Sequence, residues 1–346
     1  MTFHPECVAT AIGSLPHTDP AAACEVVLNS IPEIPIWPQL PHADFREGME
    51  IQYCEGLPAV VLDTVRQRMH FDTSRDVTAE LEEFYQNYMA ENLDHFRISP
   101  DFSRGLHAMA GALAARKPAG LRFFKHQVTG PITMGLGRVD ETKRAAYYNE
   151  VLRDVVVKGA EMKARWLIRK FTFLGVPQIC FIDEPILSAF GSSTYVSVQR
   201  ADVVRCLHDV VEAVHKEGAL AGIHCCGNTE WTILIDAGAD IISFDAFEFG
   251  ETIAYYADRV RVYLENGGVL AWGLIPTSAG IGGETAETLV RRFDSAAGHL
   301  ASKGVDKDLI RRQCLLTPSC GTGSLPVELA ERVFDELSEV SRRLRS

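Results

Sequence analysis

The chain has 346 residues, which at roughly 150 residues per domain lies between two ordinary domains and one large single-core unit. Apolar residues make up 47% and charged residues 23%, with 27 glycines and 16 prolines, a balance that excludes disordered, collagenous and coiled-coil chains. The 34 Lys and Arg against 46 Asp and Glu give a formal charge of −12 with no basic cluster, so neither nucleic acid nor an anionic membrane is an expected partner.

The opening stretch, MTFHPECVATAIGSLP, carries neither a basic n-region nor an apolar h-region, and no segment reaches the roughly 18 apolar residues of a membrane span. The expected setting is the cytoplasm, where the nine cysteines stay reduced and serve as core fillers, metal ligands or nucleophiles.

Eight short apolar runs bounded by Gly or Pro follow in order: VATAIGSL, IPIWPQL, RFFKHQV, QICFIDE, LAGIHCC, IISFDAF, GVLAWGLI and CLLTPSC. Helical periodicity separates them. Val77, Leu81, Phe84 and Tyr88 form one stripe, Val203, Leu207, Val210 and Val214 another. The last stripe is the longest, with Leu325, Leu329, Val333, Leu337, Val340 and Leu344 on one face, Pro326 near its start and Arg342, Arg343 and Arg345 at its end. Strands apolar on both faces, each followed by a helix, indicate a parallel sheet, and eight of them fit closure. The expected architecture is α/β: a single (β/α)8 TIM barrel over residues 1–346, with extra helices between strands 2 and 3 and no second domain.

Chemistry in a parallel barrel sits at the C-terminal ends of the strands. Those ends read Ile12-Gly13-Ser14 after the first run, Gln127 to Pro131 after the third, Asp183-Glu184-Pro185 after the fourth and His224-Cys225-Cys226 after the fifth. Asp245 to Glu248 follow the sixth, and Pro318-Ser319-Cys320 the eighth. His224 and Cys226 are two apart, so on extended chain they share a face while Cys225 turns away. Glu248 comes one βα repeat later and Cys320 two repeats after that. One imidazole, two thiolates and a carboxylate form a borderline-soft set that suits Zn²⁺. The alternative for these residues is a hydrogen-bonded core histidine, buried thiols and a surface carboxylate.

These pieces together resemble the superfamily of cobalamin-independent methionine synthase, the uroporphyrinogen-decarboxylase-type barrels and the zinc methyltransferases that serve corrinoid proteins. The resemblance covers nearly the whole chain and is carried by AIGSLPHT, VTGPIT, IDEP, HCCGNT with Glu248 downstream, and TPSCG. It implies a zinc enzyme that methylates a small thiol, homocysteine or a close relative, with His224, Cys226, Glu248 and Cys320 as metal ligands and Glu248 the exchangeable one. It also implies that Ile12, Gly13 and Ser14 offer backbone N–H groups to the substrate carboxylate and that Asp183 accepts from its ammonium. Glu184 is then either a further substrate-side group or the partner that orients His224. A second acidic substrate ligand is expected in PHADFREGMEIQY, where Asp44 is the nearest candidate.

The methyl donor is expected to be a methyl-corrinoid, free or protein-bound, or methyltetrahydrofolate. The family's strand-seven histidine acid is replaced by AWGLIPTSAG, and Gly137 stands near the place of its folate-holding aromatic residue. A cobalt leaving group needs no proton, which favours the corrinoid. The competing assignments are a porphyrinogen-type decarboxylase, which would grip a polyanion with arginines, and a non-catalytic zinc-binding barrel.

Overall fold

Residues 3–346 are described in a computed structural model. The first strand, β1 (Val8–Ala9), leads to α1 (Pro20–Ser30), which Asp19 caps by accepting from the Ala21 N–H at 3.0 Å. A long connection then holds an antiparallel hairpin, β2 (Val60–Asp63) with β3 (Arg68–Phe71), followed by α2 (Thr78–Met89) and α3 (Arg104–Ala115). Strands and helices alternate from there: β4 (Phe124–Thr129), α4 (Pro131–Gly137), α5 (Glu150–Lys170), β5 (Gln178–Asp183), α6 (Arg200–Lys216), β6 (Leu220–Cys225) and α7 (Thr232–Asp236). The second half continues with β7 (Ile241–Phe244), α8 (Ala246–Phe249), α9 (Ala257–Glu265), β8 (Val269–Ile275), α10 (Ala286–Ser302), α11 (Lys307–Arg312), β9 (Cys314–Pro318) and α12 (Val327–Leu344).

Seven strands form one parallel sheet in the order β1-β9-β8-β7-β6-β5-β4. The sheet curls, and its strands are buried on both faces, as their near-continuous apolar runs require. Alternate residues such as Ile12, Ile179, Phe181, Ile241, Ala271 and Leu315 pack together in one cluster, and their neighbours pack against the surrounding helices. The three helical stripes expected from periodicity are α2, α6 and α12, with buried Phe84, Val210 and Leu337 at their centres.

The second of the eight expected strands does not form, so the sheet is not a closed eight-stranded barrel. IPIWPQL instead meets each edge through single parallel bridges, Ser14 with Gln39 on the β1 side and Ile36 with Lys125 on β4. Its prolines explain this. Pro35 and Pro38, with Pro32 just before them, lack the N–H that a ladder needs, so only isolated contacts survive, such as Gln39 N–H to Gly13 O at 3.0 Å and Lys125 N–H to Pro35 O at 3.0 Å. The extra helices expected before the third run are present, but a hairpin precedes them. No helix among the described residues is long and apolar enough to cross a membrane.

Candidate metal centre

Parallel pairing sets Asp183 opposite His224 and His224 opposite Ser243, so three neighbouring strands deliver three polar side chains at one level. Just past β6 the chain bends and brings in Cys226; just past β9 it brings in Cys320. The ligand atoms of His224, Cys226 and Cys320 all lie within 4.8 Å of one another. The donor set fits a metal on a further count. His224 is 2% exposed, its Nδ1 sits 2.9 Å from Ser243 Oγ, and its Nε2 is buried without a hydrogen-bond partner. A ring held at one nitrogen with the other left free beside two thiols is the arrangement of a metal-ligating histidine.

The two thiols lie side by side. The neighbouring Cys320 holds the Cys226 pKa well below the ordinary thiol value against the pull of burial, and the His224 ring adds to the effect. The same contact, reinforced by burial, raises Cys320. Cys225 faces elsewhere, as expected from the alternation: its Sγ points to Gly227 O at 3.4 Å, and burial pushes its thiol up to about 12.

The centre opens into a cavity of about 450 Å³ lined by Ile12, Ser14, Glu47, Asp183, His224, Cys226 and Cys320 among others. Asp183 is 5% exposed and its Oδ1 has no partner; burial pushes its carboxyl up to about 6, opposed by Lys125 and His224. Ser14 is tied to the cysteine loop, with Thr322 N–H on its carbonyl at 2.9 Å and Gly323 N–H on its Oγ at 3.2 Å. Gly321 makes that approach possible, since a Cβ there would sit 2.1 Å from Ser14 Oγ. Gly13 is equally confined: a Cβ would lie 2.5 Å from Gln39 Oε1. The Gly13 and Ser14 N–H groups donate to no other described residue.

Two expected residues are placed elsewhere. Glu184 does not orient His224, a task that falls to Ser243. Its carboxylate instead accepts from Ile132 N–H at 2.9 Å, Thr133 N–H at 2.7 Å and Thr133 Oγ1 at 2.6 Å, which fastens the start of α4 to the end of β5. Burial pushes it up to about 7 despite these donors. Glu248 is exposed in α8, where its N–H donates to Asp245 Oδ1 at 2.9 Å, and it stands apart from the His-Cys-Cys trio.

Sequence reasoning missed Ser243 and Glu47. Ser243 was legible from register, because it is the inward residue of IISFDAF next to the inward His224. Glu47 was not, because it sits on a single 3-10 turn (Phe45–Glu47) that has no sheet or helix period. Asp44, the candidate from sequence, is bound to Arg46 at 2.9 Å and Arg104 at 3.5 Å. Glu47 is 1% exposed; Leu40 N–H reaches its Oε2 at 3.3 Å while Oε1 has no partner, and burial raises its pKa. No family model matches the chain, and no curated protein matches it.

Proposed function

We propose that the protein is a zinc-dependent thiol methyltransferase of the TIM-barrel type, similar to cobalamin-independent methionine synthase, acting on homocysteine or a close amino-acid thiol. The observation that carries this reading is the convergence of His224, Cys226 and Cys320 on a cavity that also holds unpartnered Asp183. Those three residues would hold the ion, and Glu248, in α8 just past β7, is the exchangeable fourth ligand in this reading. A coordinated Zn²⁺ supplies a thiolate at neutral pH, which a free thiol does not.

The chain's own groups account for the rest of the substrate. Asp183 and Glu47 accept from the ammonium, the Gly13 and Ser14 N–H groups donate to the carboxylate, and Ser243 keeps His224 Nε2 turned toward the thiols. Glu184 fixes α4 against the end of β5 and so shapes the donor side of the mouth. The methyl group passes to sulfur from methylcobalamin-type or methyltetrahydrofolate-type donors, whose leaving group departs with the bonding electron pair. Among the described residues, no Arg or Lys lines the cavity, which weighs against a polyanionic tetrapyrrole as substrate.

The test is methyl transfer to homocysteine by zinc-loaded protein, with methylcobalamin and methyltetrahydrofolate compared and Cys320→Ala as control. Methionine is expected from at least one donor, with zinc and activity both lost in the variant. Full zinc content and full activity in Cys320→Ala would sink the proposed site. A zinc coordination spectrum unchanged by homocysteine would favour a non-catalytic zinc protein.

A further inference from the structure

Inside the curl of the sheet lies a cation that the proposed reaction does not use. Lys125, on β4, is 0% exposed, and it has no ion-pair partner within bonding distance among the described residues. Its Nζ donates to Ile12 O at 2.6 Å and reaches Gln127 Oε1 at 3.5 Å, with the Phe181 ring 4.4 Å away on its other side. A buried ammonium costs far more than the apolar side chains around it would. Packing alone does not explain it.

The peptide it grips belongs to the site. A trans peptide is planar, so the Gly13 N–H points opposite to the Ile12 carbonyl. With that carbonyl anchored on the Lys125 ammonium, the N–H points away from it, on the residue between Ile12 and Ser14, both of which line the cavity. Gly13 has no room for a side chain on this peptide, and its own carbonyl is held by Gln39 N–H at 3.0 Å. Gly13 is held through the peptide before it and the peptide after it.

We propose that Lys125 is a positioning residue for the substrate carboxylate: it holds the Ile12 carbonyl so that the Gly13 N–H is presented to the carboxylate of the bound amino-acid thiol. This rests on the function proposed above and adds the element that selects an amino acid over a simple aminothiol. Because Lys125 acts through a backbone group, losing it affects ligands that carry a carboxylate and spares those that do not. A ligand with only an ammonium loses a repelling cation.

The experiment is calorimetric titration of zinc-loaded protein with L-homocysteine and with 3-aminopropane-1-thiol, which is homocysteine without its carboxylate. The wild type is expected to favour homocysteine. Lys125→Met is expected to weaken homocysteine about tenfold, the effect of one lost charge-assisted contact, and to leave the aminothiol bound as tightly or more so, at unchanged zinc content. Equal weakening of both ligands, or of neither, overturns the proposal. Should Lys125→Met not fold, Lys125→Gln, an uncharged amide beside Gln127, gives the same comparison. A wild type that binds neither thiol, or both equally, refutes the amino-acid pocket itself, and that result appears before any variant is made.

Discussion

Replacing Ser243 by Ala asks whether His224 is a ligand or a buried side chain with a satisfied nitrogen. Ser243 is fully buried, and its hydroxyl lies 2.9 Å from His224 Nδ1. Without it, Nδ1 has no other partner to turn to, and the ring is free to rotate. A neutral hydrogen bond contributes about 1 kcal/mol net, whereas one to a charged group contributes about 1.5–3 kcal/mol. A metal at Nε2 draws charge from the ring and moves the Nδ1–H bond from the first kind toward the second. The variant therefore loses about 1 kcal/mol without metal and about 2.5 kcal/mol with it, and the difference of about 1.5 kcal/mol makes zinc binding roughly tenfold weaker. Competition against a chromophoric chelator reads this directly, and thermal melts with and without zinc read the two halves separately. Zinc affinity within twofold of the wild type, alongside a lower melting temperature for the metal-free variant, would refute the reasoning and leave Ser243 as a core partner only.

Three further perturbations test the surroundings. Gly321→Ala places a Cβ 2.1 Å from Ser14 Oγ, and the forced shift is expected to cost about 1–3 kcal/mol; an unchanged melting temperature would show that the loop moves freely. Glu47→Gln keeps the shape but removes the charge, so homocysteine binding is expected to weaken about tenfold while 4-mercaptobutanoate, which has no ammonium, binds as before. Equal effects on both ligands would take Glu47 out of the pocket. His126 is buried against Phe124 and Phe171, with Nε2 2.6 Å from Gln178 Oε1, and burial pulls its pKa down to about 3. It is neutral in the fold, whereas the unfolded chain binds a proton below about pH 6.5, so its contribution is complete above that value and is lost as pH falls toward 3. Between about pH 7 and 5 the loss is about 2 kcal/mol, and His126→Met should remove it from urea-denaturation curves; an identical pH dependence in wild type and variant would contradict the assignment.

What the sequence made legible were continuous apolar runs and helical stripes. β4 to β9 are apolar runs buried on both faces, the stripes of α2, α6 and α12 repeat at three and four, and the ends of those runs place Asp183, His224 and Cys320 at one end of the sheet. The 34–40 segment has the apolar character of a strand but not its donors, since hydropathy is blind to the N–H groups that Pro35 and Pro38 lack. The hairpin was hidden for a different reason: Val60 to Asp63 are half-buried along their whole length, so no alternation marks β2. Glu47 and Lys125 show the remaining limit. One lies on a turn where three-dimensional contacts alone decide which way a carboxylate faces, and the other sits in an apolar strand where a lysine reads as an irregularity. Both are buried charged groups without a buried ion-pair partner in contact, and their desolvation cost marks them as candidates for use by a ligand. Around a cavity whose described lining residues include one other acidic side chain, Asp183, and no Lys or Arg, that use is best sought in a ligand that brings both an ammonium and a carboxylate of its own.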